Sequence, residues 1–74
     1  MKVKTFNEVI QATKHAEEKH PFFARNPEHA VSLATEELGE MAKAVNVAKW
    51  EQAKAEALDT IAVLVRFIYM LEEL

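Results

Sequence analysis

Both prolines of the chain, Pro21 and Pro27, lie in one short segment, and apolar residues recur at helical spacing on either side of it. Because a proline disfavours helix at the residue before it, residues 20–26 are predicted to form a loop. Before the loop, apolar side chains recur every three or four residues, which is typical of an amphipathic helix. The sequence therefore predicts an all-α fold with helix 1 over about 5–19.

Capping patterns indicate where the first two helices begin. Thr5 followed three residues later by Glu8 matches a capping box at the start of helix 1. Asn26 followed by Pro27 matches an N-cap residue with proline at the first helical position, and Glu28 adds a negative charge that the helix N-terminus favours. We therefore expect helix 2 to begin at Pro27.

Helix 2 is predicted over about 27–46 and helix 3 over about 50–72. The residues between them include no glycine or proline, so we expect a very tight turn or a kink. Such a short connection makes neighbouring helices antiparallel, giving a helix 2/helix 3 hairpin in a single domain over 1–74. The predicted core face of helix 2 consists of Val31, Ala34, Leu38, Met41 and Val45.

From Leu58 onward, apolar residues cover more than half of the circumference of helix 3. We expect a helix of this kind to be buried on two sides and, with only three helices available, the second side to be covered by another subunit. A chain of 74 residues buries a modest fraction of its surface, and this one has no cysteine for a disulfide. These features predict a homo-oligomer, either a dimer or a tetramer.

Charge and hydropathy exclude two classes of partner. The net charge is -3 and the lysines are scattered, which argues against binding to nucleic acid. The longest apolar run, Ile61 to Val65, is interrupted by Arg66 and is too short to cross a membrane. Since the N-terminus has no apolar stretch for secretion, we expect a cytoplasmic protein.

Helices 2 and 3 each carry a pair of acidic residues with three-residue spacing, Glu37 with Glu40 and Glu56 with Asp59. Each pair lies on one face of its helix, and like charges at this spacing cost a few tenths of a kcal/mol. Two such pairs facing each other across the hairpin indicate a site for a cation. The alternative is that they form ordinary solvated faces.

Two details of helix 2 remain open from the sequence. The helical wheel does not decide between Glu36 and Glu37 as the inward-pointing glutamate, although Glu37 lies closer to the apolar side. Gly39 is the only glycine and costs about 1 kcal/mol in a helix. It either allows another helix or a ligand to approach closely or has no special role.

Carboxylates brought together in a partly dry helical bundle repel one another, and a divalent cation removes this penalty. Oxygen ligands without cysteine or a pair of histidines favour a hard ion, so we expect Mg²⁺, with Mn²⁺ as a possible substitute. Because Mg²⁺ keeps several waters and recruits phosphate oxygens, such a site suits a nucleotide phosphate.

The pattern E-E-x-x-E followed by E-x-x-D resembles the signature of the MazG-like, all-α nucleoside triphosphate pyrophosphohydrolases. The resemblance covers roughly Asn26 to Ile68 and includes the Leu38-Gly39 pair. It implies an oligomeric, Mg²⁺-dependent hydrolase that cleaves a nucleoside triphosphate between the α- and β-phosphates, giving the monophosphate and pyrophosphate. The residues that match the motifs are Glu36, Glu37, Glu40, Glu56 and Asp59.

The resemblance also implies roles for these acids. Glu37, Glu40, Glu56 and Asp59 would be metal ligands. Glu36 would position or activate water, so the residues expected to act in catalysis are Glu36, Glu37 and Glu40.

Residues near the starts of helices 2 and 3 are candidates for contacts with the substrate. Aromatic side chains could stack on a base, although packing at the end of the bundle is the alternative. Basic side chains could contact phosphates, although an ion pair explains Lys43 equally well, and a capping or exposed role suits the histidines, including His29. The candidate substrate-binding residues are His20, Phe23, Arg25, Lys43 and Trp50.

A second interpretation is a non-catalytic oligomerisation module of the same fold, with or without bound metal or nucleotide. Many members of the family continue after the third helix into a further helix and a basic segment that helps to hold the substrate. This sequence stops at Leu74. We therefore expect either a minimal enzyme that uses surface from a neighbouring subunit or a protein with little or no activity.

Overall fold

A computed structural model describes the whole chain, Met1–Leu74, as three α-helices without strands. The helices are α1 (Val3–Lys19), α2 (Pro27–Asn46) and α3 (Trp50–Glu72). The predicted all-α fold is confirmed, and α2 and α3 have the predicted bounds. None of the three helices combines the length and the apolar character that a bilayer-spanning segment requires.

The central helix is α3, which packs against both α1 and α2, whereas α1 and α2 make no contact with each other. A short connection joins α2 to α3, so these two helices are antiparallel and form the predicted hairpin. Along α1, Glu8 contacts Lys54 and Ala16 contacts Arg66, which makes α1 parallel to α3. A cleft is therefore left between α1 and α2, above α3.

The prediction that a second subunit must cover the other side of α3 requires a correction. Helix α1 covers that side, since α3 lies between α1 and α2 within one chain. Part of the apolar surface of α3 nevertheless stays uncovered, since Leu64 is 44% exposed and Ile68 is 52% exposed. Helix α3 therefore has a third apolar strip that neither α1 nor α2 covers.

The predicted capping box at the start of α1 is wrong. The helix begins at Val3, two residues before the expected start, and Lys2 is the N-cap residue without a side-chain cap. The Glu8 carboxylate forms an ion pair with the Lys54 ammonium at 2.8 Å. The ion pair links α1 to α3, so the Glu8 side chain does not cap its own helix. The hydrogen bond from Lys54 also lowers the pKa of Glu8.

The predicted start of α2 is confirmed. The Asn26 side chain accepts a hydrogen bond from the His29 backbone N–H at 2.8 Å, with Pro27 at the first helical position. In return, His29 Nδ1 accepts a hydrogen bond from the Arg25 backbone N–H at 3.1 Å. These two bonds fix the end of the loop and give His29 a capping role.

The turn between α2 and α3 places Ala48 in the left-handed region, with φ of 56°. The Lys49 N–H donates to the Ala44 carbonyl at 2.9 Å, and the Ala48 N–H donates to the Val45 carbonyl at 3.0 Å. This is the Schellman arrangement, which ordinarily uses glycine where Ala48 stands. The hairpin therefore closes at the expense of some backbone strain.

Ala48→Gly is expected to stabilise the fold by about 0.5–1 kcal/mol, because relief of left-handed strain exceeds the extra entropy that glycine has when unfolded. Thermal unfolding should show a midpoint higher by roughly 2–8 °C. Ala42→Gly is the matched control, since Ala42 is exposed within α2 and the change there should be destabilising by about 1 kcal/mol. Equal destabilisation by both substitutions would contradict this account of the turn.

The predicted core face of α2 is partly wrong. The fully buried residues of α2 are Ala30 and Ala44, whereas Val31, Leu38 and Val45 each remain about half exposed. Helix α2 is therefore turned with these alanines inward, and small side chains at such a contact favour close packing of two helices. Across the whole chain, the only buried residues are Thr13, Ala30, Ala44, Ala53 and Ala62.

Candidate metal centre

Three carboxylates meet at the interface between α2 and α3. Glu37 comes from α2, and Glu56 and Asp59 come from successive turns of α3. One oxygen from each lies within 4.8 Å of the others. Because Glu37 is seven residues from both Ala30 and Ala44, it shares the face that packs on α3, as expected from its position on the wheel.

The Glu37 carboxyl has a strongly altered affinity for its proton. Burial, the hydrogen bond with Glu56 and the negative charges of Glu56, Asp59 and Glu36 together raise the pKa of Glu37 to about 7, and burial has the largest effect. The Glu37 carboxyl is therefore about half protonated at neutral pH. The proton lowers the repulsion within the cluster.

A divalent cation could replace that proton. The three side chains offer only carboxylate oxygens, which are the ligands that Mg²⁺ and Mn²⁺ accept readily. Asp59 is exposed, so the cluster is open to solvent and leaves room for waters or a further ligand. The residues thus fit a hard cation better than zinc, since neither cysteine nor histidine belongs to the cluster.

The cluster borders the cleft between α1 and α2. The cleft has a volume of about 390 Å³, which lies in the range of small-molecule sites. Glu37 and Asp59 supply its acidic part, basic side chains from α1 lie on its opposite wall, and aromatic side chains come from the loop. Its lining comprises Ala12, His15, Ala16, Lys19, His20, Phe22, Phe23, Leu33, Glu37, Asp59, Val63 and Arg66.

Arg66 holds the loop and the end of α1 against α3. Its guanidinium donates hydrogen bonds to the Ala16 carbonyl at 3.2 Å and to the His20 carbonyl at 2.7 Å. The same group lies 4.8 Å from the centre of the Phe23 ring, in a cation–π contact. Arg66 therefore shapes the end of the cleft that contains the loop.

Two of the five acids of the motif lie outside the carboxylate cluster. Glu36 is exposed on α2. Glu40 is also exposed, and its carboxylate lies 3.6 Å from the Lys43 ammonium, which is the ion pair considered above. A Cβ atom added to Gly39 would meet nothing within 4 Å, so no other helix of the same chain approaches this position closely.

The candidate substrate-binding residues are divided by the structure. His20 and Phe23 line the cleft. Arg25, Lys43 and Trp50 do not, and Trp50 is 64% exposed at the start of α3 beside the tight turn.

The sequence interpretation missed three basic residues of the cleft, His15, Lys19 and Arg66. His15 and Lys19 are four residues apart and therefore lie on one face of α1. Arg66 was visible as the single charge that interrupts the apolar run of α3. A lone arginine in such a run indicates a specific partner, which here is the pair of carbonyls at the end of α1.

The raised pKa of Glu37 predicts that stability falls as the pH rises. Between pH 4.5 and about 7 the folded state keeps a proton that the unfolded chain has released, so the stabilisation present at low pH is lost through this window and then levels off. After allowance for solvent screening, the loss should be about 1–2 kcal/mol.

Urea unfolding at pH 5 and pH 8 measures this loss. Glu37→Gln should remove most of the difference, whereas the control Glu17→Gln, at an exposed site on α1, should keep it. Equal stability of the wild-type protein at the two pH values would contradict the raised pKa of Glu37.

Comparisons with known proteins add no relative to this description. Neither protein-family models, nor curated proteins, nor solved structures gave a significant match to the chain. The resemblance to MazG-like proteins therefore stays a prediction from the sequence motifs.

Proposed function

We propose that the protein is a Mg²⁺-dependent nucleoside triphosphate pyrophosphohydrolase that converts an NTP or dNTP to the monophosphate and pyrophosphate. The observation that carries the proposal is the meeting of Glu37, Glu56 and Asp59 beside a cleft of about 390 Å³. All three belong to the acidic motifs that resemble the signature of this class of enzyme.

Glu37, Glu56 and Asp59 would hold the ion, and Mn²⁺ would be a functional substitute. When bound, Mg²⁺ neutralises phosphate charge and makes a coordinated water more acidic. Glu36 lies next to Glu37 on the exposed side and, as the motif resemblance implies, would orient the attacking water or accept its proton. No covalent nucleophile is needed for this reaction.

The cleft offers separate surfaces for the parts of a nucleotide. His15, Lys19 and His20 can donate hydrogen bonds to phosphate oxygens. Phe22 and Phe23 supply aromatic surface for a base. The cleft between α1 and α2 thus suits a mononucleotide. As expected from the sequence, the protein would act in the cytoplasm and as a homo-oligomer.

The test is to incubate the purified protein with Mg²⁺ and a panel of ribo- and deoxynucleoside triphosphates and to identify the products by phosphorus NMR. We expect monophosphate and pyrophosphate in equal amounts, and no products when a chelator removes the metal. Release of inorganic phosphate and a nucleoside diphosphate would contradict cleavage between the α- and β-phosphates.

A second candidate is a binding module of the same fold without turnover. It is favoured by the positions of Glu36 and Glu40, both of which lie outside the carboxylate cluster. In this case the protein would bind Mg²⁺ but would hydrolyse none of the nucleotides in the panel. The panel therefore separates the two candidates.

A further inference from the structure

Helix α1 forms one wall of the cleft but contributes little to the core. Among its 17 residues only Thr13 is buried, and towards its N-terminal end Val3 is 76% exposed and Phe6 is 52% exposed. It packs on α3 alone, and the interface between α2 and α3 is the more extensive of the two. Few buried apolar contacts indicate a segment that can open at a lower free energy than the rest of a protein.

Two polar attachments, one towards each end, hold α1 on α3. In the first half of the helix, the Glu8 carboxylate pairs with the Lys54 ammonium at 2.8 Å, and the Lys54 side chain is 57% exposed. At the other end, Arg66 donates hydrogen bonds to the Ala16 and His20 carbonyls. Water can take the place of these partners when the helix separates, whereas it cannot replace buried apolar contacts.

The loop over residues 20–26 is the one covalent connection between α1 and the hairpin of α2 and α3. It contains neither helix nor strand, and Phe22 within it is 86% exposed. The hydrogen bonds that close the turn of the hairpin join Lys49 to Ala44 and Ala48 to Val45, so they do not involve α1. Separation of α1 therefore needs changes of backbone angle in this loop only.

The lining of the cleft divides along the same boundary. Glu37 and Asp59 belong to the hairpin, whereas α1 supplies the opposite wall. We propose that α1 undocks from α3 as one unit, with the loop as its hinge, and so opens the cleft along its length while the hairpin keeps its structure. The carboxylates of Glu37, Glu56 and Asp59 stay together in the open form, because all three residues belong to the hairpin. The cleft residues that leave with α1 are Ala12, His15, Ala16 and Lys19.

Hydrogen exchange of the wild-type protein, followed residue by residue by NMR without any ligand, tests this proposal independently of the hydrolase activity. A helix of 17 residues is marginal in water, so the amides of α1 should exchange each time it undocks. We expect the protection factors over residues 8–14 to agree with one another and to be at least about tenfold lower than those in the middle of α3. Equal protection in the middle of α1 and of α3 would overturn the proposal.

Two variants distinguish independent opening of α1 from unfolding of the whole chain. Ala42→Gly weakens the hairpin alone, since Ala42 is exposed on α2 and α2 does not touch α1. It should speed exchange in the middle of α3 about fivefold and leave the middle of α1 unchanged. Glu8→Gln weakens the docked state itself, so it should speed exchange in all three helices by the same factor. Equal acceleration of α1 and α3 by Ala42→Gly would show that the chain opens as a single unit and would overturn the proposal.

Discussion

Asp59→Asn is expected to lower Mg²⁺-dependent release of pyrophosphate by at least about a hundredfold, because the amide keeps the shape of the side chain but removes its negative charge and one metal ligand. Asp59 is exposed and lies within 4.8 Å of Glu37 and Glu56. The fold should therefore survive the change, and helical circular dichroism should be unaltered. Steady-state rates with the best nucleotide of the panel provide the measurement.

Two further substitutions sharpen this prediction. Glu72→Gln removes an exposed acid from the far end of the same helix and should leave the rate unchanged. Glu40→Gln separates the motif from the geometry, since the family resemblance implies that it abolishes turnover although Glu40 lies outside the cluster. If Glu40→Gln keeps its turnover, the metal site has only the three ligands Glu37, Glu56 and Asp59. If Asp59→Asn keeps its turnover, the proposed metal centre is wrong.

Arg66→Ala should have the largest effect on stability, with an expected loss of about 2–3 kcal/mol. The substitution removes the hydrogen bonds to the Ala16 and His20 carbonyls and the contact with Phe23. A small domain has a total stability of only about 5–10 kcal/mol, so the unfolding midpoint should fall by on the order of 10–20 °C.

The control for this effect is the only other arginine, Arg25, whose side chain is in the exposed part of the loop. Arg25→Ala should change the midpoint by little. Arg66→Lys should give an intermediate loss, because an ammonium cannot reach two carbonyls with the fixed fork of a guanidinium. If Arg66→Ala unfolds at the wild-type temperature, the loop is held by other contacts.

The sequence predicted the helices well because their signals are local. Asn26 and Pro27 indicated the start of α2 through a cap that forms within four residues. The motif spacing also brought Glu37 together with Glu56 and Asp59, since a short turn forces α2 and α3 to be antiparallel.

The rotation of α2 could not be predicted in the same way. Hydrophobicity alone favours Val31, Leu38 and Val45 as the inward side, yet Ala30 and Ala44 are the residues that face α3. Close approach of two helices depends on how small the facing side chains are, and this depends on both helices together. The larger residues of α2 are left about half exposed.

The position of α1 could not be predicted from local sequence patterns either. Glu8 looked like a capping residue because its pattern with Thr5 is common, but its partner, Lys54, lies more than forty residues away in the sequence. Likewise, Arg66 pairs with carbonyls that no sequence pattern identifies. Contacts of this kind define the cleft, so its basic wall had to be found from the structure.

Titration calorimetry with Mg²⁺ tests the central claim most directly, namely that Glu37, Glu56 and Asp59 form a divalent-cation site. At neutral pH we predict saturable binding to the wild-type protein, with release of the proton that Glu37 holds and hence a heat that depends on the buffer. The same titration of Asp59→Asn should show no saturable binding. Absence of binding to the wild-type protein at millimolar Mg²⁺, or equal binding to both proteins, would contradict the account.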